Sequence, residues 1–437
     1  MNKNSNSISL NFFGIAIFLM TLVSCWGSDS DDPNPYEDAN RTVIGLILAD
    51  NSLDSFSSSD INEMITGMNK SSIDWDKNNV LLFVDNKSTE PLILRLRRED
   101  GNNSSIIRDT VFVYTAETIA NIPDIDFSES SSTESMCEDA LKRIISDYSA
   151  KSYGLILWSH GDGWIPSDDY VAPAVATRKF GQDTDTGTYP SVKWLENSEL
   201  KSIIATSCSF MTTTDKKYDF IYADACQMAN NTTVYDFRDY CNYFIGSVAE
   251  IPGPGGYYTT QLPAMFETSG IPAIAVAEAY DEYYNRDYHW VSNAGVQISV
   301  IKMSELDNLA AVTKSFLEIP EIAASIASLD WSPINHFDWG RSNGTTIYYD
   351  FKQTMEAVLT SDQLAVWQKA FDAAVVLNIV PETIYSSILP GEFEANPCCG
   401  LAAYFPNDAT YKKWNTYFQT YEWYLAAGMN DVQDEIP

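Results

Sequence analysis

Two short segments carry the residue types best suited to covalent chemistry. They are Leu155-Ile156-Leu157-Trp158-Ser159-His160-Gly161-Asp162-Gly163-Trp164 and Tyr222-Ala223-Asp224-Ala225-Cys226-Gln227-Met228. Each is an apolar run ending in a polar residue among small neighbours, the pattern of a buried strand that delivers a side chain to the open edge of a sheet. The first delivers a histidine and the second a cysteine, in a chain with only 3 histidines. A thiol attacks as its thiolate, which a helix N-terminus or an adjacent imidazolium favours. An imidazole can protonate a leaving amine and later activate water. Cys226 and His160 thus have the types needed for amide hydrolysis through a covalent intermediate. Cys226 precedes Gln227-Met228-Ala229-Asn230 and is expected to open a helix whose amides point at the sulfur. Gly161 lets the backbone approach a substrate closely, and its amide with that of Cys226 would bind a developing oxyanion.

Singly, these residues have plainer readings. A cysteine at a strand end is commonly a buried hydrophobe, a histidine before glycine a turn residue, and Asp224 the cap of a following helix. The joint pattern, strand-His-Gly, crossover, strand-Asp-Ala-Cys, is what favours chemistry. His289 and His336 stand among aromatics (Tyr288, Trp290, Phe337, Trp339) and read as packing residues.

The elements that must position the pair alternate strand and helix from Arg41. Val43 to Ala49, Val80 to Val84, Gly154 to Trp158, Phe220 to Ala223 and Tyr243 to Val248 read as buried strands. Helices are expected over Ile61 to Met68, with Asp60 as cap, over Glu134 to Tyr148 and over Trp194 to Thr206. Leu92 to Arg97 and Ile106 to Tyr114 read as a hairpin about Asp100-Gly101-Asn102-Asn103. Strands apolar throughout and separated by helices imply an α/β fold, a mostly parallel sheet with helices on both faces. Sites in such sheets lie at the carboxyl ends of strands, where Asp50, Asp85, His160, Asp224 and Glu250 all fall. Asp50 and Asp85 read more simply as caps. Gly161 to Pro190 reads as a long surface loop, a length uncommon without a role.

At 437 residues and net charge -33, the chain has the apolar content of a globular protein and a surface that repels nucleic acid and anionic membrane. Residues 1–24 read as a signal peptide: Lys3 leads into an apolar stretch, Phe12 to Val23, too short to span a bilayer comfortably. Leu22-Val23-Ser24-Cys25 resembles the lipobox of bacterial lipoproteins, which implies a lipid on Cys25. Residues 25–40 read as a flexible acidic tether, and the run after Cys25 resembles the surface-export signal of Bacteroidetes lipoproteins. A lipid anchor in the outer membrane, facing outward, is the expectation. The other cysteines (Cys137, Cys208, Cys226, Cys241, Cys398 and Cys399) are sparse and mostly in apolar segments, so no disulfide framework is inferred. Residues 41–303 are read as the catalytic domain. Residues 304–437 are read as a helical C-terminal subdomain that returns one strand, near 400–406, to the main sheet.

The chain resembles the clostripain family of cysteine peptidases, which have a caspase-like fold. The matching pieces are Ala49-Asp50-Asn51-Ser52-Leu53, His160-Gly161-Asp162-Gly163-Trp164, Asp224-Ala225-Cys226-Gln227-Met228, the Glu250 to Tyr257 stretch and Gly400 to Pro406. The resemblance implies peptide or protein substrates, His160 and Cys226 as the catalytic dyad, and Asp224 and Glu250 as substrate-binding acids. Asp224, two positions before the cysteine, would pair with Arg or Lys at P1. The family often has an acid after its Pro-Gly segment, where this chain has Gly255-Gly256-Tyr257-Tyr258. The resemblance also implies self-cleavage between the two strands, best placed at Arg178-Lys179. No cofactor is expected to be required. Some relatives need calcium, for which the spacing here, Asp183 and Asp185 included, places no site. The competing reading is a non-catalytic surface binding lipoprotein on the same scaffold.

Overall fold

The computed structural model describes residues 38–100, 102–122, 132–165, 180–181, 194–287, 294–337, 347–387, 391–395, 397–406 and 412–436. In chain order the strands include β1 (Arg41–Ala49), β2 (Asn78–Asn86), β3 (Thr89–Glu99), β4 (Asn102–Val113), β5 (Tyr153–Trp158), β6 (Tyr218–Asp224), β7 (Cys241–Gly246), β8 (Ile298–Lys302), β9 (Tyr349–Asp350) and β10 (Val375–Ile379), with three short ones after them, Thr383–Ser386, Gly391–Glu394 and Ala402–Ala403. All of β1 to β10 except β9 build a 9-stranded sheet in the order β10-β8-β7-β6-β5-β1-β2-β3-β4. Its centre, β7 through β2, is parallel, and the outer strands on either side are antiparallel.

Continuous apolar strands bury both faces of this centre, and side-chain alternation splits them between two cores. Ile44, Leu46 and Leu48 of β1 join Leu155, Leu157, Ile221 and Phe244 in one. Val43, Ile47 and Ala49 join Ile156, Trp158, Phe220 and Tyr222 in the other. The helices up to residue 317 are α1 (Asp54–Lys70), α2 (Ala116–Ala120), α3 (Ser132–Asp147), α4 (Asn197–Ser209), α5 (Asn231–Asp236), α6 (Tyr258–Ala264), α7 (Pro272–Asp281) and α8 (Leu306–Leu317), and further helices follow among the described residues. Side chains of α3, α4, α5 and α8 fill the first core; those of α1, α6 and α7 fill the second. The α/β expectation is met.

Two local expectations are revised. Asp60 does not cap a helix. Helix α1 begins at Asp54, so Asp60 lies inside it, 2% exposed. The C-terminal segment does return a strand to the main sheet, but it is β10, running straight on from the helix Ser361–Ala374 and pairing antiparallel with β8. Ala402–Ala403 instead pairs with β9, and Ala402 also bridges Asn230. The physical reason is burial. Leu401 through Phe405 are fully buried and share the first core with Phe351, Trp367, Phe418 and Trp423. That core takes side chains from both sides of residue 303. Among the described residues no helix is long and apolar enough to cross a membrane.

Candidate active site

Strand register sets the height of the site. Trp158 of β5 lies opposite Asp224 of β6, and the Ser159 amide donates to the Asp224 carbonyl at 3.4 Å. His160 and Cys226 each stand two residues further on, so they leave neighbouring strands, ~4.8 Å apart, at the same level. Gly161 marks the contact. A Cβ added there would fall 2.5 Å from the Cys226 carbonyl oxygen and 2.9 Å from both its amide nitrogen and the Ala225 Cβ. Only glycine lets the two turns close this tightly. Strand order reverses at β1, which has β2 on one side and β5 on the other. The crevice therefore opens at the switch point of the sheet.

His160 and Cys226 line one cleft of about 240 Å³. They are 7% and 6% exposed, so the thiol is shielded yet reaches the cleft wall. Ser52, on the turn after β1, is hydrogen-bonded through Oγ to His160 Nε2 at 2.8 Å. The expectation that Cys226 opens a helix is corrected. Helix α5 starts five residues later, at Asn231, capped by Asn230 Oδ1 accepting from the Thr233 amide at 2.9 Å. Between them Gln227 adopts φ 58°. The amides of Gln227 and Ala229 donate at 2.9 Å to the carbonyls of Ala249 and Ser247. The chain beyond β6 thus stays paired with the segment beyond β7 instead of coiling. The amide that points at the sulfur comes from that segment: Ile251 N lies 3.4 Å from Cys226 Sγ.

Asp224 forms part of the cleft lining while being 2% exposed. Its Oδ2 accepts from the Gly256 amide at 2.8 Å and the Tyr258 hydroxyl at 2.7 Å; its Oδ1 is buried with no hydrogen-bond partner. Burial pushes its pKa up to about 6, against the lowering effect of these donors. Gly255, at φ 65°, has no alternative: a Cβ would lie 2.7 Å from Asp224 Oδ2.

Glu250 is placed behind the cleft rather than on it. It is 5% exposed, and its carboxylate accepts from Ser386 Oγ at 2.7 Å and the Ser387 amide at 3.0 Å. Tyr385 and Ser387, held in this way, do line the cleft. Neither was foreseen, since nothing local distinguishes a serine that lines a cleft from one in a loop. The turn after His160 is also held by the C-terminal half. Tyr348 Oη donates to the Asp162 carbonyl at 2.7 Å, and Trp164 packs on Tyr404, Phe418 and Tyr421. Asp50 and Asp85 are buried and are not part of the lining. His336 packs near Tyr349, ring centroids 6.2 Å apart. Cys137, Cys208, Cys226, Cys241, Cys398 and Cys399 are all free thiols. Cys25, Arg178, Lys179, Asp183, Asp185 and His289 lie outside the described residues. Among the described residues no group of three or more His, Cys, Asp or Glu side chains could hold a metal ion.

A model of the clostripain family matches residues 46–434. The chain is similar to a secreted C11 cysteine protease from Bacteroides thetaiotaomicron solved in complex with an irreversible peptide inhibitor. That match has 31% identity and a TM-score of 0.70, over 90% of this chain and 99% of that one. An inactive zymogen C11 protease from Parabacteroides distasonis is similar at 25% identity and a TM-score of 0.70, with the same coverage of 90% and 99%. A further secreted C11 cysteine protease from Bacteroides thetaiotaomicron shares the fold at 18% identity, with a TM-score of 0.69 over 90% of this chain and 99% of that one. No curated protein matches the chain. With the family match spanning the sheet, both strand ends and the C-terminal helices, this chain belongs to the clostripain family of cysteine peptidases.

Proposed function

We propose that this peptidase is an endopeptidase that cuts after Arg or Lys through a Cys226–His160 dyad. One observation carries the reading: the thiol and the imidazole share a cleft with a buried carboxylate, one oxygen of which lacks a partner. A cationic P1 side chain would supply that partner. In the first step the Cys226 thiolate adds to the scissile carbonyl carbon, and the oxyanion accepts hydrogen bonds from the Gly161 and Cys226 amides. His160, as imidazolium, gives its proton to the leaving amine nitrogen as the C–N bond breaks, leaving a thioester. Water then gives a proton to His160 as its oxygen attacks the thioester, and the thiolate departs to restore the starting state.

The test is covalent capture. A peptidyl acyloxymethyl ketone with Lys at P1 should alkylate Cys226 Sγ, expelling its carboxylate, and peptide mapping should find the adduct there and on no other cysteine. No adduct would favour the non-catalytic binding role; an adduct elsewhere would overturn the dyad.

Ser52 acts in this reading as a positioning residue for the imidazole. One hydrogen bond is worth about 1 kcal/mol, so Ser52→Ala should lower kcat by roughly 3- to 10-fold and move the acid limb of the pH–rate profile. A rate and profile equal to wild type would exclude that role.

Further parts of the proposal lie outside the described residues: a lipid on Cys25 that anchors the enzyme on the outer membrane facing outward, and self-cleavage at Arg178-Lys179. The residues just after that step are held in place. Phe180 is 5% exposed, its carbonyl accepts from the Leu195 amide at 2.9 Å, and the Gly181 amide donates to Ser159 Oγ at 3.1 Å.

A further inference from the structure

Two acids on α1 stand directly behind the floor of the cleft. The indole of Trp158, which lines the cleft, donates through Nε1 to Asp60 Oδ2 at 2.7 Å. Tyr258 ties the second acid to the floor, its amide donating to Glu63 Oε2 at 3.0 Å and its hydroxyl to Asp224 Oδ2 at 2.7 Å. Asp60 is 2% exposed and Glu63 half-buried. The segment Gly255-Gly256-Tyr257-Tyr258 carries no acid of its own, yet Tyr258 brings one in from another element.

We propose that Asp60 and Glu63 are specificity-determining residues: with Asp224 they form one carboxylate cluster with no Lys or Arg paired to it among the described residues, and the charged end of a Lys or Arg P1 side chain completes it. The inference rests on the basic-P1 reading of the cleft and adds to it the source of the remaining negative charge. Asp224 lines the cleft, and its buried Oδ1, which has no hydrogen-bond partner, is where the ligand's donor would bind. Asp60 and Glu63 do not touch it; they act through Trp158 and Tyr258 and through their field.

The electrostatics agree. Burial pushes Asp60 up to about 9, with Asp224 and Glu63 adding to the rise. Burial pushes Glu63 up to about 7, with Asp224 again adding. The buried hydroxyls of Tyr222, Tyr258, Tyr280 and Tyr284 also face Asp224, and His160 and Cys226 line the same cleft. The strand β4 does bring a cation to α1, but at Asn62: Arg108 Nη2 donates to Asn62 Oδ1 at 2.7 Å. Around pH 7 Glu63 is therefore partly ionised and Asp60 largely neutral, and a cation bound beside them would favour their ionised forms.

The test compares kcat/KM for a peptide with P1 Arg against the same peptide with P1 citrulline, a neutral isostere. It uses the full-length enzyme, Asp60→Asn and Glu63→Gln. The ratio cancels any loss of turnover common to both substrates, so an imperfectly packed variant remains informative. At pH 8, Glu63→Gln should lower the Arg-to-citrulline ratio by roughly 5- to 30-fold, the loss expected for one charge removed at second-contact distance; Asp60 is held neutral there, so Asp60→Asn should lower the ratio only as pH climbs through about 9. A wild-type ratio well above one that both variants preserve would overturn the cluster while leaving the basic-P1 reading intact. A wild-type ratio near one would overturn both.

Discussion

Cys226→Ala should reduce peptide hydrolysis by about 10⁴-fold or more, and His160→Ala should come close to it, because nucleophile and base act as a unit and their losses do not add. The double variant should be no worse than either alone. The physical basis is the shared height of the two strand ends. With Trp158 paired to Asp224, the residues two beyond each strand leave it at the same height and line one cleft, with Gly161 closed against Cys226. Alanine at 226 removes one sulfur that is 6% exposed and leaves the backbone pairing of Gln227 and Ala229 in place. Circular dichroism and thermal melting should therefore match wild type. Turnover of Cys226→Ala above about 1% of wild type, with folding intact, would refute the nucleophile assignment and return attention to the other free thiols.

Asp224→Asn should leave hydrolysis of a neutral P1 substrate far less affected than hydrolysis of an Arg substrate. Removing one partner of a buried charge pair costs about 2–5 kcal/mol, so the Arg-to-citrulline ratio should fall by roughly 30-fold or more. The pH dependence has a definite sign. The Asp224 carboxyl titrates at about 6, so below that pH it offers a cation no charge. The wild-type ratio should rise as pH climbs through about 6, and the asparagine variant should lack that rise. Stability should move the other way. A carboxyl raised in the folded state binds more protons than in the unfolded chain, so folding free energy is lost as pH rises from about 4 to about 6. The asparagine variant is free of that loss, its amide oxygen can keep the Gly256 and Tyr258 donors, and it should melt no lower than wild type at pH 7. A flat wild-type ratio from pH 5 to 8, or an asparagine variant that keeps its Arg preference, would end the basic-pocket reading.

The contrast between these acids shows how the molecule divides its carboxylates. Glu250 spends both oxygens on Ser386 and Ser387 and so fixes the wall that Tyr385 and Ser387 present. Asp224 gives one oxygen to the Gly256 and Tyr258 donors and leaves the other without a hydrogen-bond partner. An acid whose lone pairs are taken by serine donors has a structural task. A buried acid with an open oxygen is poised for a ligand.

The sequence by itself determined the parallel strands at the centre of the sheet and the two residues that stand beyond β5 and β6, because uninterrupted apolar runs and small residues after them are local signals; it did not show the antiparallel strands β8 and β10, the second of which runs straight on from a helix. It also placed a helix after β6, although it opened that helix at Cys226, five residues too early. What it did not hold was any long-range pairing of side chains. The bond from Ser52 to His160 spans 108 positions and that from Trp158 to Asp60 spans 98. Tyr258 reaches Glu63 across 195 positions, and Ser386 reaches Glu250 across 136. Such contacts leave no periodicity, because they depend on how helices and loops pack over the sheet. Asp60 shows the difference: read locally it caps a helix, and only the packing of α1 against β5 made it an acid behind the cleft.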